Sequence, residues 1–206
     1  MFYSESKLGA PLRDYLRCQC CSLVFVPSSQ FISSEQEKAE YDLHQNDSND
    51  IGYRRFLSRL FIPLKEKITP DARGLDFGSG PGPTLSLMFE ECGHSMKLFD
   101  CFYANDISVL QQTYDFITAT ETVEHLHHPR RELERLWYRL KPGGYLGIMT
   151  KLVIDQDAFA NWHYKNDPTH VCFFSTDTFN WLSKLWNANV EFVDKDVILL
   201  QKPKVD

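Results

Sequence analysis

Apolar and polar residues alternate along this chain with two different periods, and the changes of period mark out its elements. Residues 33–48 open with Ser33-Ser34, Glu35 and Glu37, a capping pattern with acids in the first turn, and continue through Ala39, Tyr41 and Leu43. That pattern predicts a helix, broken by the polar cluster Asn46-Asp47-Ser48-Asn49-Asp50. Helical spacing resumes over residues 52–64, carried by Tyr53, Phe56, Leu57, Leu60 and Phe61. A strand ending Leu75-Asp76-Phe77 then runs into Gly78-Ser79-Gly80-Pro81-Gly82, and a helical pattern (Leu85, Leu87, Met88, Phe89) follows. Further strands are predicted over residues 96–99, ending at Asp100, and over residues 114–119. Leu133, Leu136, Trp137 and Leu140 are helically spaced up to Lys141-Pro142-Gly143-Gly144, where the pattern predicts a stop before a strand over residues 145–150. Ser175 caps a last helix with Phe179, Leu182 and Leu185 on one side. Residues 190–193 and 197–200 flank Asp194-Lys195-Asp196 and read as a hairpin.

The glycine turn carries specific chemistry. Glycines at 78 and 80 let the backbone bend sharply with no Cβ in the way, so a ligand can lie against main-chain N–H groups at the helix start. A dinucleotide fingerprint needs a third glycine three residues after the second, and Pro83 stands there. Asp76, two places before the first glycine, repels a pyrophosphate and suits an ammonium group. Asp100, about twenty residues on, supplies a carboxylate for a ribose diol.

In these residues the chain resembles the class I S-adenosylmethionine-dependent methyltransferases, whose first motif is an acid followed by G-x-G-x-G. The Leu140-Lys141-Pro142-Gly143-Gly144 turn extends the likeness to residues 74–150. The resemblance implies an α/β, Rossmann-like sheet with helices on both faces and a C-terminal antiparallel hairpin. It implies S-adenosyl-L-methionine as cofactor, bound by Asp76, Gly78, Ser79, Gly80, Gly82, Asp100, Thr120, Glu121 and Tyr53. Only residues 101–113 separate Asp100 from the next strand, and a complete crossover needs a dozen residues by itself. The third strand is therefore expected to be reduced, with residues 107–110 forming one short element and adenine held by Phe102, Tyr103 or Asp106.

A second constellation follows the strand over residues 114–119. Glu121, Glu124 and His125 form E-x-x-E-H where open α/β sheets place ligands, at the carboxyl ends of their strands. If a helix starts there, positions i, i+3 and i+4 share a face, and two carboxylates converge with one imidazole. Such a set suits Mg²⁺ or Mn²⁺, and another histidine moves the preference toward Mn²⁺, Fe²⁺ or Zn²⁺. His163 and His170 lie on the same predicted edge. The arrangement resembles methyltransferases acting on ubiquinone-precursor catechols and those that 2′-O-methylate small-RNA 3′ ends, in which E-x-x-E-H holds a divalent metal. That likeness implies Glu121, Glu124, His125 and His170 as metal ligands, with His125, Glu124 and His170 on the catalytic side. A metal-free reading keeps His125 or His170 as general base.

Composition narrows the partners. Of 206 residues, 43% are apolar and 14% aromatic, enough for one substantial core, and the net charge of −6 offers nucleic acid no general attraction. No apolar run approaches the length of a membrane span, and the N-terminus lacks a signal pattern, so a cytoplasmic protein acting on a small-molecule methyl acceptor is expected. The six cysteines show no disulfide framework. Cys18 and Cys21, with Cys20 between them, read as one knuckle of a zinc ribbon; a structural zinc needs four ligands. Residues 1–65 are expected to form this knuckle remnant and a helical lid, with Tyr41, His44 and Tyr53 as its cofactor-facing candidates, and residues 66–206 the catalytic domain. Trp162, Tyr164, Phe173 and Phe174 suggest a partly apolar acceptor pocket. Two competing classes stay open: a catalytically idle binding protein on this scaffold, and an RNA or protein methyltransferase.

Overall fold

The computed structural model describes residues 1–5, 12–43 and 47–204. In chain order it contains β1 (Tyr3–Glu5), β2 (Arg13–Arg17), β3 (Val24–Phe25), α1 (Ser34–Tyr41), α2 (Ile51–Lys65), β4 (Arg73–Phe77), α3 (Thr84–Glu90) and β5 (Ser95–Phe99). There follow β6 (Tyr114–Thr120), α4 (Pro129–Arg139), β7 (Leu140–Met149), α5 (Gln156–Ala160), β8 (Cys172–Phe173), α6 (Thr176–Trp186), β9 (Asn189–Asp194) and β10 (Val197–Gln201).

Six strands make one sheet in the order β5-β4-β6-β7-β10-β9. The first four are parallel, and β10 runs antiparallel to both β7 and β9. Strand alternation assigns each face: on β10, Ile198 and Leu200 join one apolar cluster with α4 and α6, while Val197 and Leu199 join the other with α2 and α3. Gly147 lets α2 press onto the sheet, because a Cβ there would sit 3.0 Å from Leu60 Cδ1 and 3.1 Å from Leu64 Cδ2. Between β5 and β6 the chain makes an isolated bridge from Asp100 to Ala104 and a 3₁₀ turn, Ile107–Gln111, and adds no strand to the sheet; the short spacing predicts a reduced third strand there.

Asp50 caps α2 by accepting from the Gly52 and Tyr53 amides, and its Arg59 forms a 2.8 Å ion pair with the buried Asp196 at the hairpin tip. Ser33 caps α1 in a reciprocal box with Gln36, but the helix stops at Tyr41, well short of residue 48. Beyond Leu43 the sequence offers turn-forming polar residues and no apolar face to hold a longer helix. His44, one lid candidate, lies outside the described residues. The expected stop at Lys141–Gly144 is also displaced: α4 ends at Arg139, and β7 begins at Leu140 with a register shift against β6. On α6, Phe179 and Leu182 are buried, whereas Leu185 faces solvent.

A second, antiparallel sheet has the order β1-β2-β3-β8, so N-terminal strands are completed by residues 172–173 from the far end of the chain. Its core includes Phe2, Tyr15, Val24, Phe159, Tyr164 and Phe173. The β2–β3 turn is the cysteine knuckle, closed by Ser22 N to Cys18 O at 3.0 Å, and its cysteines are unpaired. No helix among the described residues is long and apolar enough to cross a membrane.

Candidate active site

A cavity of about 590 Å³ opens at the carboxyl ends of β4, β5 and β6. Its volume falls within the roughly 300–1,000 Å³ of small-molecule sites. Three loops and a helical cover build it.

The floor is the glycine loop. Gly78 and Gly80 take φ of +76° and +62°, a left-handed backbone that glycine adopts without penalty. The Gly78 and Ser79 amides donate to Phe99 O, at 2.7 and 3.3 Å, and Gly80 N donates to Asp100 Oδ2 at 2.9 Å. The other Asp100 oxygen accepts from the Phe102 and Tyr103 amides. Asp100 thus locks the glycine loop to the turn after β5, and Oδ2, which accepts one amide, keeps lone-pair capacity for a diol hydroxyl. Phe102 and Tyr103 line the cavity beside it; Asp106 does not, because it caps the following 3₁₀ turn.

Two predicted loop residues sit elsewhere. Asp76 lies beneath the loop, fully buried, where Thr118 Oγ1 (2.8 Å) and Ser86 Oγ (3.0 Å) donate to its two oxygens. Burial pushes its carboxyl up to about 6, the two hydroxyls opposing. Gly82 is not on the wall; its carbonyl accepts the Thr84 amide.

Thr120 and Glu121 form the wall after β6. Thr120 Oγ1 and Glu121 Oε1 are both buried without a hydrogen-bond partner among the described residues. Glu121 holds φ of +48°, and burial, followed by the charge of Glu124, pushes its carboxyl up to about 8. Orphaned buried polar atoms beside a cavity are what a bound ligand satisfies. This donor set, with the glycine cradle and Asp100, fits S-adenosylmethionine.

E-x-x-E-H does not form a helical face. The backbone reverses at Glu121, makes a 3₁₀ turn over Val123–His125, and becomes α-helical only at Pro129. Glu121 therefore leaves the cluster, and Glu124, His125 and His170 converge, offering one ligand atom each, all within 4.8 Å of one another. Glu124 is fully buried and accepts from Thr150 Oγ1 at 3.0 Å and from Tyr164 Oη. Burial raises its carboxyl above the ordinary range, with His170 and the two hydroxyls opposing. His170 Nδ1 meets Tyr164 O at 2.7 Å and His125 Nδ1 meets Thr169 O at 3.3 Å. A carbonyl beside Nδ1 is satisfied when that nitrogen carries the proton, and His170 Nε2 lies 3.7 Å from Asp167 Oδ2. Burial and the neighbouring His125 lower the His170 pKa. His163 stays outside, exposed and 3.1 Å from Lys151 Nζ.

Tyr41 and Tyr53 line the cavity from the helical cover. The Tyr41 ring sits edge-on to His125 at 5.2 Å, and its hydroxyl donates to Glu37 at 2.7 Å. The four aromatics expected in an acceptor pocket are instead core: Trp162, Tyr164 and Phe173 pack in the small-sheet cluster and Phe174 in the main one. Thr150 and Asp167 belong to the site yet carry no sequence signal beyond their distance along the chain.

A family model described as a methyltransferase domain matches residues 49–193. The chain belongs to that family. Its fold is that of the class I S-adenosylmethionine-dependent methyltransferases, and the chain is an enzyme of that type. Among solved structures, it is similar to the 1,6-didemethyltoxoflavin-N1-methyltransferase of Burkholderia thailandensis, determined with 1,6-didemethyltoxoflavin and S-adenosylhomocysteine bound. The TM-score is 0.53 at 14% identity, covering 93% of this chain and 99% of that one. A methyltransferase of Archaeoglobus fulgidus aligns with a TM-score of 0.54 at 20% identity, over 72% and 94% of the two chains. An O-methyltransferase family protein of B. thailandensis gives 0.51 at 12% identity, over 82% and 63%. No curated protein matches the chain.

Proposed function

We propose that this enzyme methylates an oxygen, or an acidic carbon, of a small molecule, with Glu124, His125 and His170 as the reacting side of the cleft. One observation carries the reading: these three side chains converge within 4.8 Å on the wall of the cavity whose floor is the glycine loop. S-adenosylmethionine supplies an already activated methyl group, so the protein's work is to align the acceptor and accommodate its proton. Two imidazoles and one carboxylate, each offering one ligand atom, suit a divalent cation such as Mn²⁺, Fe²⁺ or Zn²⁺. The hydrogen bonds behind them, from imidazole to backbone carbonyl and from hydroxyl to carboxylate, are the outer shell that metal ligands commonly keep. A cation held there would lower the pKa of a bound acceptor hydroxyl.

Charge supports a neutral or cationic acceptor. Glu37, Asp100, Glu121, Glu124, Glu132 and Asp167 line the cavity, and the single fixed cation on it among the described residues, Arg135, is paired with Glu132 at 3.0 Å. A phosphorylated acceptor would find no unengaged cation, which disfavours nucleic acid. The unpaired cysteines accord with a cytoplasmic setting.

The test is transfer of a labelled methyl from S-adenosylmethionine to catechol and related hydroxylated rings, with Mn²⁺ and after chelation. Label on oxygen, lost on chelation and in His170→Ala, supports the full reading. Label that survives chelation yet is lost in His170→Ala leaves the imidazole as a metal-free base. Absence of S-adenosylmethionine binding overturns both.

A further inference from the structure

The small N-terminal sheet reaches the active site through one side chain. Arg13 on β2 spreads its guanidinium over four main-chain carbonyls of the loop that carries His170. Its Nη1 donates to Lys165 O at 3.1 Å and Asp167 O at 2.9 Å, and its Nη2 to Pro168 O at 3.2 Å and His170 O at 2.5 Å. We propose that Arg13 is a positioning residue that holds His170 in the reacting half of the cleft, an inference that rests on His170 belonging to that half.

Physical reasons for the clamp begin with the loop. Between Tyr164 and Val171 the chain turns sharply, Pro168 has no N–H to give, and several carbonyl oxygens point the same way. Without a donor among them they would be unsatisfied acceptors crowding one another. A planar guanidinium with five donors in a fixed fork answers that arrangement; a lysine ammonium, a compact point charge, cannot span it. The same strand adds Tyr15 Oη, donating to Lys165 O at 3.1 Å, and β1 adds Glu5, paired at 2.6 Å with the buried Lys165.

His170 is where these contacts act on chemistry. Its carbonyl takes the shortest of the four Arg13 bonds, its ring is turned by Nδ1 against Tyr164 O, and the next amide, Val171 N, donates to Glu124 O at 2.8 Å. Moving this loop therefore moves the His170 ring relative to Glu124 and His125. The first strands are part of the machinery that shapes the site, although they lie 150 residues away in sequence.

The test compares wild type, Arg13→Gln and Arg13→Lys by two measurements that need neither acceptor nor cofactor. One is the carbethoxylation rate of individual histidines with diethylpyrocarbonate, resolved by mass spectrometry; the other is amide hydrogen exchange over residues 167–171. In Arg13→Gln, His170 labelling and exchange of the His170 and Val171 amides rise tenfold or more. The exposed His163, the melting temperature and S-adenosylhomocysteine affinity stay within about twofold or a few degrees of wild type, and Arg13→Lys recovers part of the protection. If Arg13→Gln does not fold, Arg13→Lys alone shows the loop effect at smaller size. Unchanged His170 reactivity in a folded variant overturns the proposal, as does a rise spread evenly over β2, β3 and the main sheet, which marks a general fold anchor. Failure of wild type to bind S-adenosylhomocysteine would instead strike the methyltransferase reading and leave this comparison intact.

Discussion

The side chain of Thr122 fills the space in which a Cβ on Gly78 would stand, and its hydroxyl reaches Gly78 O at 3.3 Å. The glycine loop and the turn after β6 are therefore packed as one unit. Gly78→Ala should fail twice over. Its φ of +76° strains any L side chain by about 1–2 kcal/mol, and the added methyl forces the loop away from Thr122. We expect S-adenosylhomocysteine affinity to fall at least tenfold by calorimetry while far-ultraviolet dichroism is unchanged. Wild-type affinity in the variant would mean that the loop does not cradle the cofactor.

Glu121 supplies the second prediction. Its buried Oε1 has no hydrogen-bond partner among the described residues, and its carboxyl, pushed up to about 8, is held there by burial first and by Glu124 second. A cationic group arriving at the wall removes that penalty. If the group is the ammonium of the cofactor's amino-acid arm, Glu121→Gln weakens S-adenosylhomocysteine by about ten- to a hundredfold, the worth of one charge-assisted hydrogen bond. Methylthioadenosine, which lacks that arm, should bind both proteins equally. Equal losses for the two ligands would show that Glu121 shapes the cavity in general.

Much of this site can be read along the chain because its signals are local. Gly78, Gly80 and Asp100 sit within one strand-turn-helix-strand unit, where spacing alone sets geometry, and the structure seats them together on the cavity floor. Glu121 reads two ways along the chain: the family resemblance sets it beside the cofactor, helical spacing groups it with Glu124 and His125, and the left-handed backbone at Glu121 separates it from that pair. A three-residue periodicity cannot reveal one residue's φ. Tyr164 read as a pocket aromatic because its neighbours are aromatic, yet its hydroxyl turns inward to Glu124. Arg13 had no signal at all, since its partners are backbone carbonyls of a loop brought near only by the pairing of β3 with β8.

Tyr164 carries the third prediction. Tyr164→Phe keeps the packing against His170 and Phe173 but removes one of the two hydroxyls that satisfy the Glu124 carboxylate. Leaving a buried acceptor short of a donor costs about 1–3 kcal/mol. Chemical denaturation should show a loss in that range. Mn²⁺ affinity, if the cluster holds a cation, should drop about tenfold, because hydrogen bonds behind the ligands typically contribute that much. A variant as stable as wild type would place the Tyr164 hydroxyl outside the network.

The last prediction concerns pH and the buried Asp76. Its carboxyl is raised from an ordinary 3.8 to about 6 in the folded protein, because burial opposes the charge more than Thr118 and Ser86 favour it. The folded state thus binds a proton that the unfolded chain has already released between these values. Stability drawn from the protonated group is present at pH 4 and is lost as pH rises through about 6; a shift of this size corresponds to about 3 kcal/mol at most. Asp76→Asn keeps the shape, leaves the hydroxyls free to rotate toward the amide, and has no proton to lose. The stability difference between variant and wild type, measured by urea unfolding without ligand, should therefore be smallest near pH 4. It should grow in favour of the variant by about 1–3 kcal/mol at pH 8, with the change centred between pH 4 and 6. A difference that does not vary with pH would mean that Asp76 is ionised across this range, and that the hydroxyls of Thr118 and Ser86 outweigh the burial.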